Sequence, residues 1–227
     1  MSFSSYTELM EKLNPMGIRL LVVSKTKTVE EIRALYDLGQ RDFGENYVQE
    51  LVEKQKKLPA DIRWHFIGHL QSNKVKNIAP FIHMIQSVDS MKLLLEIDKQ
   101  AEKNQRLVNC LLQIHIAREE TKFGLDEEEL QMLLGSLNAL RESGKAGRIR
   151  IAGCMGMASL TDNKDVIYEE FTRLRSIFEM IKKTFPAEQV NTLSMGMSSD
   201  YEIAAACGST MVRIGSLLFG PRTSINK

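Results

Sequence analysis

The stretch Leu20-Leu21-Val22-Val23-Ser24-Lys25 decides how the chain is read. It is a short apolar run with Gly17 before it and the polar Thr26-Lys27-Thr28 after it. Such a run predicts a buried strand. A helix start follows at once, because Thr28 is suited to cap it and Glu31, three residues on, completes a capping box. Lys25 therefore stands where a buried strand passes into a helix. In folds that alternate strand and helix, ligands bind at that end of the strand. Partial desolvation there lowers a lysine's pKa and frees its amine as a nucleophile. A lysine at a strand end can also simply snorkel to solvent. These six residues alone leave both readings open.

Outward from this stretch, strand-like and helix-like patterns alternate to the end of the chain. Strands are expected at Arg19–Lys25, Asp42–Asn46, Ile62–Gly68, Met84–Val88, Cys110–Ile116, Ile149–Met155, Thr192–Met195 and Met211–Ile214. Helices are expected at Val29–Leu38 with Gly39 as C-cap, at Tyr47–Leu58 stopped by Pro59, and through Lys76 before Pro80. Further helices are expected at Ser90–Lys103, Glu127–Glu142 and Asp200–Cys207, the last with Ser199 as a cap. The plainest helix carries Ile167, Phe171, Leu174, Phe178, Ile181 and Phe185 in one apolar stripe, ended by Pro186. Met1 to Leu13 reads as an amphipathic helix with a Ser5/Glu8 capping box rather than a targeting signal. Every strand but the last is followed by a helix. That rhythm implies parallel strands joined by right-handed crossovers. About eight such units predict a single-domain α/β fold over residues 1–227, a closed (β/α)8 barrel with an additional N-terminal helix. An open doubly wound sheet is the alternative, weakened because no GxGxxG follows the first strand.

The bulk chemistry excludes several classes. In 227 residues with 43% apolar and 26% charged content there is enough to fill one large core and cover its surface. A net charge of +1 gives no case for nucleic acid or a membrane surface, and no apolar run approaches a membrane span. Cys110, Cys154 and Cys207 are odd in number and widely spaced, which fits reduced thiols in the cytoplasm. No CxxC pair points to zinc. His65 and His115 read as hydrogen-bonded core or wall residues, with no second ligand at metal spacing, so no metal is expected. Gly144-Lys145-Ala146-Gly147 is a turn and not a phosphate loop, since Ala146 stands at the Ser/Thr place.

In a barrel all strand C-termini face one side. This chain puts there Lys25, Glu45-Asn46, Gly68-His69, His115, Met155 to Ala158, Gly196-Met197-Ser198 and Gly215-Ser216. The last two groups supply glycines for close approach and hydroxyls for donation, in the two loops where barrels often hold phosphate. Ordinary turn chemistry explains either group alone; the two together favour phosphate. First and last strands are neighbours in a closed barrel, so one ligand can span Lys25 and that cradle. A phosphorylated aldehyde fits, its carbonyl held on Lys25 as a Schiff base, and pyridoxal 5′-phosphate is the candidate. Arg213, on the last strand, can then face the pyridine nitrogen and disfavour its protonation. A salt bridge at the barrel wall is the other reading of Arg213.

Six segments carry the most specific pattern in the chain. They are Val23-Ser24-Lys25-Thr26-Lys27, Phe43-Gly44-Glu45-Asn46-Tyr47-Val48-Gln49-Glu50, Trp64-His65-Phe66-Ile67-Gly68 and Leu70-Gln71-Ser72-Asn73-Lys74. Leu193-Ser194-Met195-Gly196-Met197-Ser198 and Val212-Arg213-Ile214-Gly215 complete the set. Together, in order along essentially the whole chain, they resemble the YggS/PROSC family of pyridoxal phosphate homeostasis proteins. The resemblance implies a barrel like the N-terminal domain of bacterial alanine racemase, with the cofactor lysine at Lys25 and the arginine facing the pyridine nitrogen at Arg213. It also implies phosphate contacts at Ser198, Gly215 and Ser216, with Asn46 completing the cofactor site. Thr28, His69, Met157-Ala158 and Ser216 depart from the family's usual residues, without touching the lysine. Lys122 fits a family lysine in the loop after the fifth strand. It reads first as a solvated charge, with a part in cofactor transfer as the alternative.

The expected protein is non-enzymatic, monomeric and cytoplasmic. It would buffer pyridoxal 5′-phosphate or deliver it to apo-enzymes that use it. The alternative is an amino-acid racemase-like enzyme on the same cofactor. Racemisation needs acid/base groups on both faces of the substrate carbanion. In barrel-type racemases a tyrosine of a second, β-rich domain is one of them, and no such domain is expected after the last barrel unit here. Arg213 weakens the ring as an electron sink and points the same way. A Schiff-base aldolase acting on a sugar phosphate, with no cofactor, is a third reading.

Overall fold

A computed structural model describes residues 3–119, 122–185 and 189–220. Eight parallel strands close on themselves in sequence order, and the last pairs with the first. They are β1 (Arg19–Val23), β2 (Asp42–Glu45), β3 (Arg63–Phe66), β4 (Met84–Val88), β5 (Val108–Ile114), β6 (Ile149–Gly156), β7 (Thr192–Ser194) and β8 (Met211–Ile214). Helices α1 (Phe3–Leu13), α2 (Val29–Asp37), α3 (Val48–Lys57), α4 (Val75–Ile78) and α5 (Met91–Lys103) belong to the first half. The second half adds α6 (Glu127–Glu142), α7 (Lys164–Thr184), α8 (Tyr201–Ala206) and α9 (Ser216–Phe219). The barrel and its leading helix are as the alternation predicts.

Strand side chains alternate between two environments, as the period of two requires. Leu20, Val22, Phe43, Trp64, Cys110, Ile151 and Cys154 point outward into the main core beneath the helices. Met84, Leu111, Ala152 and Met155 form a separate cluster inside the barrel. The α7 stripe Ile167, Phe171, Leu174, Phe178 and Ile181 is buried as its spacing predicts. Both faces of the sheet are thus covered, as an all-parallel sheet demands.

The barrel carries one device that shapes the site. In β6, Cys110 pairs with Ile151 but Leu111 pairs with Gly153, so Ala152 is an extra residue in the strand. A bulge of this kind shifts the alternation by one. Beyond it Met155 and Met157 face inward, where an unbroken strand would have put Cys154. Gly153 takes φ +145, and a Cβ there would run into the Thr192 carbonyl. Only glycine fits that position.

Several local expectations are corrected. The first helix starts at Phe3, so Ser5 lies inside it and cannot be its N-cap. β1 stops at Val23, leaving Ser24 and Lys25 in the turn beyond. The fifth strand is Val108–Ile114, two residues earlier than expected, because pairing with β6 recruits the polar Asn109. Asp200, not Ser199, precedes α8, with no side-chain cap bond. The last strand is followed by a helix after all, the four-residue α9. Pro186, expected to end α7, lies outside the described residues.

Candidate functional site

All six residues singled out as a site line one open cavity of ≈ 310 Å³ at the C-terminal mouth of the barrel. They are Lys25, Asn46, Ser198, Arg213, Gly215 and Ser216. The volume lies at the lower end of the range for small-molecule pockets. The topology explains the meeting. Val22 stands beside Ile214 in the β1–β8 pair, so the turns that follow the two strands adjoin. Gly215 brings them closer still, since a Cβ there would press on the Val23 carbonyl at 3.2 Å. Lys27, Met155, Met157, Met197 and Phe219 also line the cavity. Three cations, Lys25, Lys27 and Arg213, face it, and no carboxylate stands among the described lining residues. A site so charged attracts an anion.

The turn that carries Lys25 is clamped from below. Ser24 Oγ donates to Glu45 Oε1 at 2.6 Å, and the Ser24 amide donates to the Gly44 carbonyl at 3.0 Å. Lys54 Nζ reaches up from α3 to the Ser24 carbonyl at 2.7 Å, to Glu45 at 2.7 Å and to Glu50 at 2.6 Å. Glu50 in turn accepts the Thr26 amide at 2.6 Å. Thr26 sits at φ +65, a left-handed conformation that costs a β-branched residue about 1–3 kcal/mol. The Glu50 bond holds it there. Beyond the turn, Thr28 and Glu31 form the expected capping box of α2. Burial pushes the Glu45 carboxyl up, against the opposing pull of the Lys54 ammonium and the Ser24 hydroxyl.

On the opposite wall Arg213 is buried within the barrel. Its guanidinium donates to the Ser194 carbonyl at 2.8 Å, to Ser194 Oγ at 2.9 Å and to the Gly156 carbonyl at 3.0 Å. These are neutral acceptors, so among the described residues Arg213 forms no salt bridge at the barrel wall, its other reading. Burial lowers its pKa to about 10 while Asp200 opposes the shift, so it stays charged at neutral pH. Asp200 also accepts the Met197 amide at 2.6 Å, which shapes the turn that presents Ser198. Asn46 contributes a different signal: its buried Oδ1 has no hydrogen-bond partner among the described residues. An acceptor left so is costly unless a ligand supplies the donor.

Other expected residues fall elsewhere. His69 stacks on Phe123 and pairs with Asp89, away from the cavity. His115 bonds to the Glu119 carbonyl in the loop after β5. Lys122 is held in that loop by the Ala158 carbonyl at 2.7 Å and by Glu119 at 3.1 Å. His65 is a buried, hydrogen-bonded core residue as read, but it is not alone. The fold brings Asp42, His65 and His83 together at the other end of the barrel. Both Asp42 oxygens already accept from Arg63, at 2.7 and 2.6 Å, and Arg19 adds a second cation nearby. That setting disfavours a metal ion. The clamp residues Lys54 and Glu50 were not foreseen as part of a site, and their i,i+4 spacing was the one signal available.

Comparison with known proteins gives a consistent picture. Residues 5–223 match the family described as "Alanine racemase, N-terminal domain". A curated relative from Pasteurella multocida, named pyridoxal phosphate homeostasis protein, is 40% identical over 211 residues, covering 91% of this chain and 87% of its own. The Escherichia coli protein of the same name is 37% identical over 213 residues, covering 92% and 88%. Among solved structures, PipY of Synechococcus elongatus with PLP bound superposes with a TM-score of 0.84 at 34% identity, covering 96% of this chain and 99% of its own. Its form without PLP gives 0.87. Alanine racemase from Bartonella henselae, at 17% identity and a TM-score of 0.72, is alike in fold alone.

Proposed function

The chain belongs to the pyridoxal phosphate homeostasis protein family, built on the alanine racemase N-terminal domain, and on that premise we propose that it binds pyridoxal 5′-phosphate in the cavity described above. The observation that carries this reading is the lining of that cavity: three cations, an unsatisfied acceptor on Asn46, and no carboxylate among the described residues. The cofactor, when bound, offers an aldehyde that condenses reversibly with a primary amine. Lys25, on its clamped turn, is the amine that would take it. Ser198, Ser216 and the backbone at Gly215 would hold the phosphate, with Lys27 adding charge at the rim. Asn46 Oδ1 would accept a hydrogen bond from a ring substituent. Arg213 would stand at the pyridine nitrogen as a cation and keep a proton off it.

The protein's task on this reading is keeping and handing on vitamin B6 in the cytoplasm, not turning over a substrate, with apo-enzymes as recipients. The lining supports this. Racemisation asks for acid/base groups on both faces of a carbanion. Lys25 supplies one, but no Tyr, His, Cys, Asp or Glu stands among the described lining residues. An arginine at the ring nitrogen also weakens the ring as an electron sink. The test is an absorption spectrum of protein loaded with the cofactor and desalted, wild type beside Lys25→Ala. A visible band in the first only, with borohydride fixing the label on Lys25, is expected. Equal colour in both proteins would remove Lys25 from the account. Turnover of an amino acid at a useful rate would replace buffering by catalysis.

A further inference from the structure

Beneath the cavity a line of buried polar side chains runs down the barrel interior, where apolar packing would fold as well. Arg213 donates to Ser194 Oγ at 2.9 Å. Ser194 Oγ donates to Gln86 Oε1 at 2.7 Å. Gln86 Nε2 meets His65 Nδ1 at 3.0 Å, and His65 Nε2 meets Asp42 Oδ1 at 3.0 Å. Arg63 closes the far end on Asp42. Gln86, His65 and Ser194 are fully buried, and Asp42 and Arg213 nearly so. Five strands contribute, and the other side of the interior is the apolar cluster of Met84, Leu111, Ala152 and Met155.

Only one set of proton positions satisfies this line. Arg213 has no lone pair to offer, so Ser194 Oγ must accept from it and turn its own proton to Gln86 Oε1. The Gln86 amide then presents Nε2–H to His65, whose Nδ1 must accept. The second Nε2 proton points to Met211 Sδ at 3.3 Å, which agrees with that amide orientation. His65 is then the neutral Nε2–H tautomer and donates to the Asp42 carboxylate. Burial holds His65 below the ordinary histidine range. Burial would raise Asp42, but Arg63 and His65 outweigh it and keep that carboxyl well below the carboxylate range. Both ends of the line therefore have one charge state at neutral pH, and every donor points from Arg213 toward Asp42.

We infer that Ser194, Gln86, His65 and Asp42 are positioning residues for Arg213: a polarised hydrogen-bond line that fixes the guanidinium facing the cavity from the opposite end of the barrel. The inference deepens the cofactor reading and rests on it for its purpose, though not for its geometry. Turning Asp42 into a side chain that can donate lets His65 take the other tautomer. Gln86 must then flip and present Nε2–H to Ser194 Oγ, whose lone pairs are now shared between Gln86 and Arg213 while its own proton loses the Gln86 acceptor. One of the three Arg213 hydrogen bonds is weakened without any change near the cavity.

The test reads Arg213 directly. Nitrogen-15 NMR of the full chain, without added cofactor, follows the guanidinium N–H exchange of Arg213 and the His65 ring nitrogens. Four proteins are compared: wild type, Asp42→Asn, Gln86→Leu and His83→Gln. His83 packs against His65 with ring centroids 5.3 Å apart and the rings tilted, but it stands outside the line, so it controls for a merely structural disturbance. Asp42→Asn and Gln86→Leu are expected to speed Arg213 exchange several-fold, up to about tenfold, the full worth of one hydrogen bond. Asp42→Asn should also shift the His65 tautomer, and His83→Gln should change neither. If Gln86→Leu does not fold, the near-isosteric Asp42→Asn against His83→Gln decides alone. Unchanged exchange in Asp42→Asn, or an equal change in His83→Gln, overturns the line. A parallel arm loads the same proteins with pyridoxal 5′-phosphate and measures the pH midpoint of the bound absorbance. It is expected to move by roughly half a unit in the two line variants only. A wild type that takes up no cofactor sinks the functional reading while the exchange arm still judges the line. Normal uptake with unchanged exchange sinks the line and spares the function.

Discussion

Replacing Lys54 by methionine should unsettle the turn of Lys25 without touching the cavity, because Lys54 does not line it. The Lys54 ammonium makes three short contacts, to Glu45, to Glu50 and to the Ser24 carbonyl. Methionine keeps the length and the apolar stem but removes all three. Glu45 is fully buried, and one of its oxygens already has no partner among the described residues. Stripping the partner from such a buried charge costs about 3–5 kcal/mol. The pH dependence follows from Glu45. Its folded pKa lies above the unfolded one, with burial as the first cause. The native state therefore binds more protons than the unfolded state across that window, and stability falls as pH rises through it. Without Lys54 the Glu45 carboxyl rises further, so the deficit of K54M should be largest near pH 8 and shrink as pH falls toward 5. Urea unfolding at several pH values measures this. The double variant Glu45→Gln with Lys54→Met should recover most of the loss, since no buried charge remains. K54M should also take the cofactor label on Lys25 more slowly, because Glu50, which holds the strained Thr26, loses its own anchor on Lys54. A K54M deficit below about 1 kcal/mol, or one flat with pH, refutes the view that this cluster is a buried ion pair under tension.

Other expectations follow from single contacts. Gly153→Ala should fail to fold or lose more than about 3 kcal/mol, because its Cβ meets the Thr192 carbonyl and its φ suits only glycine; thermal melting reads it. Thr28→Ala should lose about 1 kcal/mol by removing the cap of α2, measured by denaturant unfolding. Of the three thiols, Cys207 alone should react quickly with a thiol reagent in the native protein. Burial pushes Cys110 and Cys154 far above the ordinary thiol range, and a reagent count of three before unfolding would contradict that.

The barrel was legible because its evidence is local and repeated. Apolar runs of strand length, the Thr28/Glu31 capping box and the α7 stripe are each decided by a few neighbouring residues. The candidate site was legible for a related reason. Lys25, Asn46 and Gly215 follow strand ends, and closure of the barrel brings those ends together whatever the loops do. What escaped lies at long range or below the period that carries a signal. The α9 turn is four residues, too short to show helical periodicity. The fifth strand was displaced because Asn109 looks polar in sequence but is paired by β6. The bulge at Ala152 has no sequence mark except the glycine after it. The line from Arg213 joins Gln86 to Ser194, 108 residues apart, and no local pattern encodes such a bond.

Two polar systems thus support the cavity from different sides, and neither is what stability alone would select. A buried ion cluster such as Glu45–Lys54–Glu50 is often matched or bettered by apolar side chains of the same volume. The same holds for the line below Arg213, in a barrel whose other interior side is filled by methionine, leucine and alanine. A half-satisfied polar network is worse than an apolar core, so such groups persist where every member matters. Here one system ends on the turn of Lys25 and the other on the guanidinium of Arg213. These are the two cations whose placement a ligand bridging the cavity would read. Moving either by an ångström would leave the fold intact and the ligand poorly held. The polar investment is therefore in position, and the variants that test it are those whose melting temperature and cofactor binding change independently.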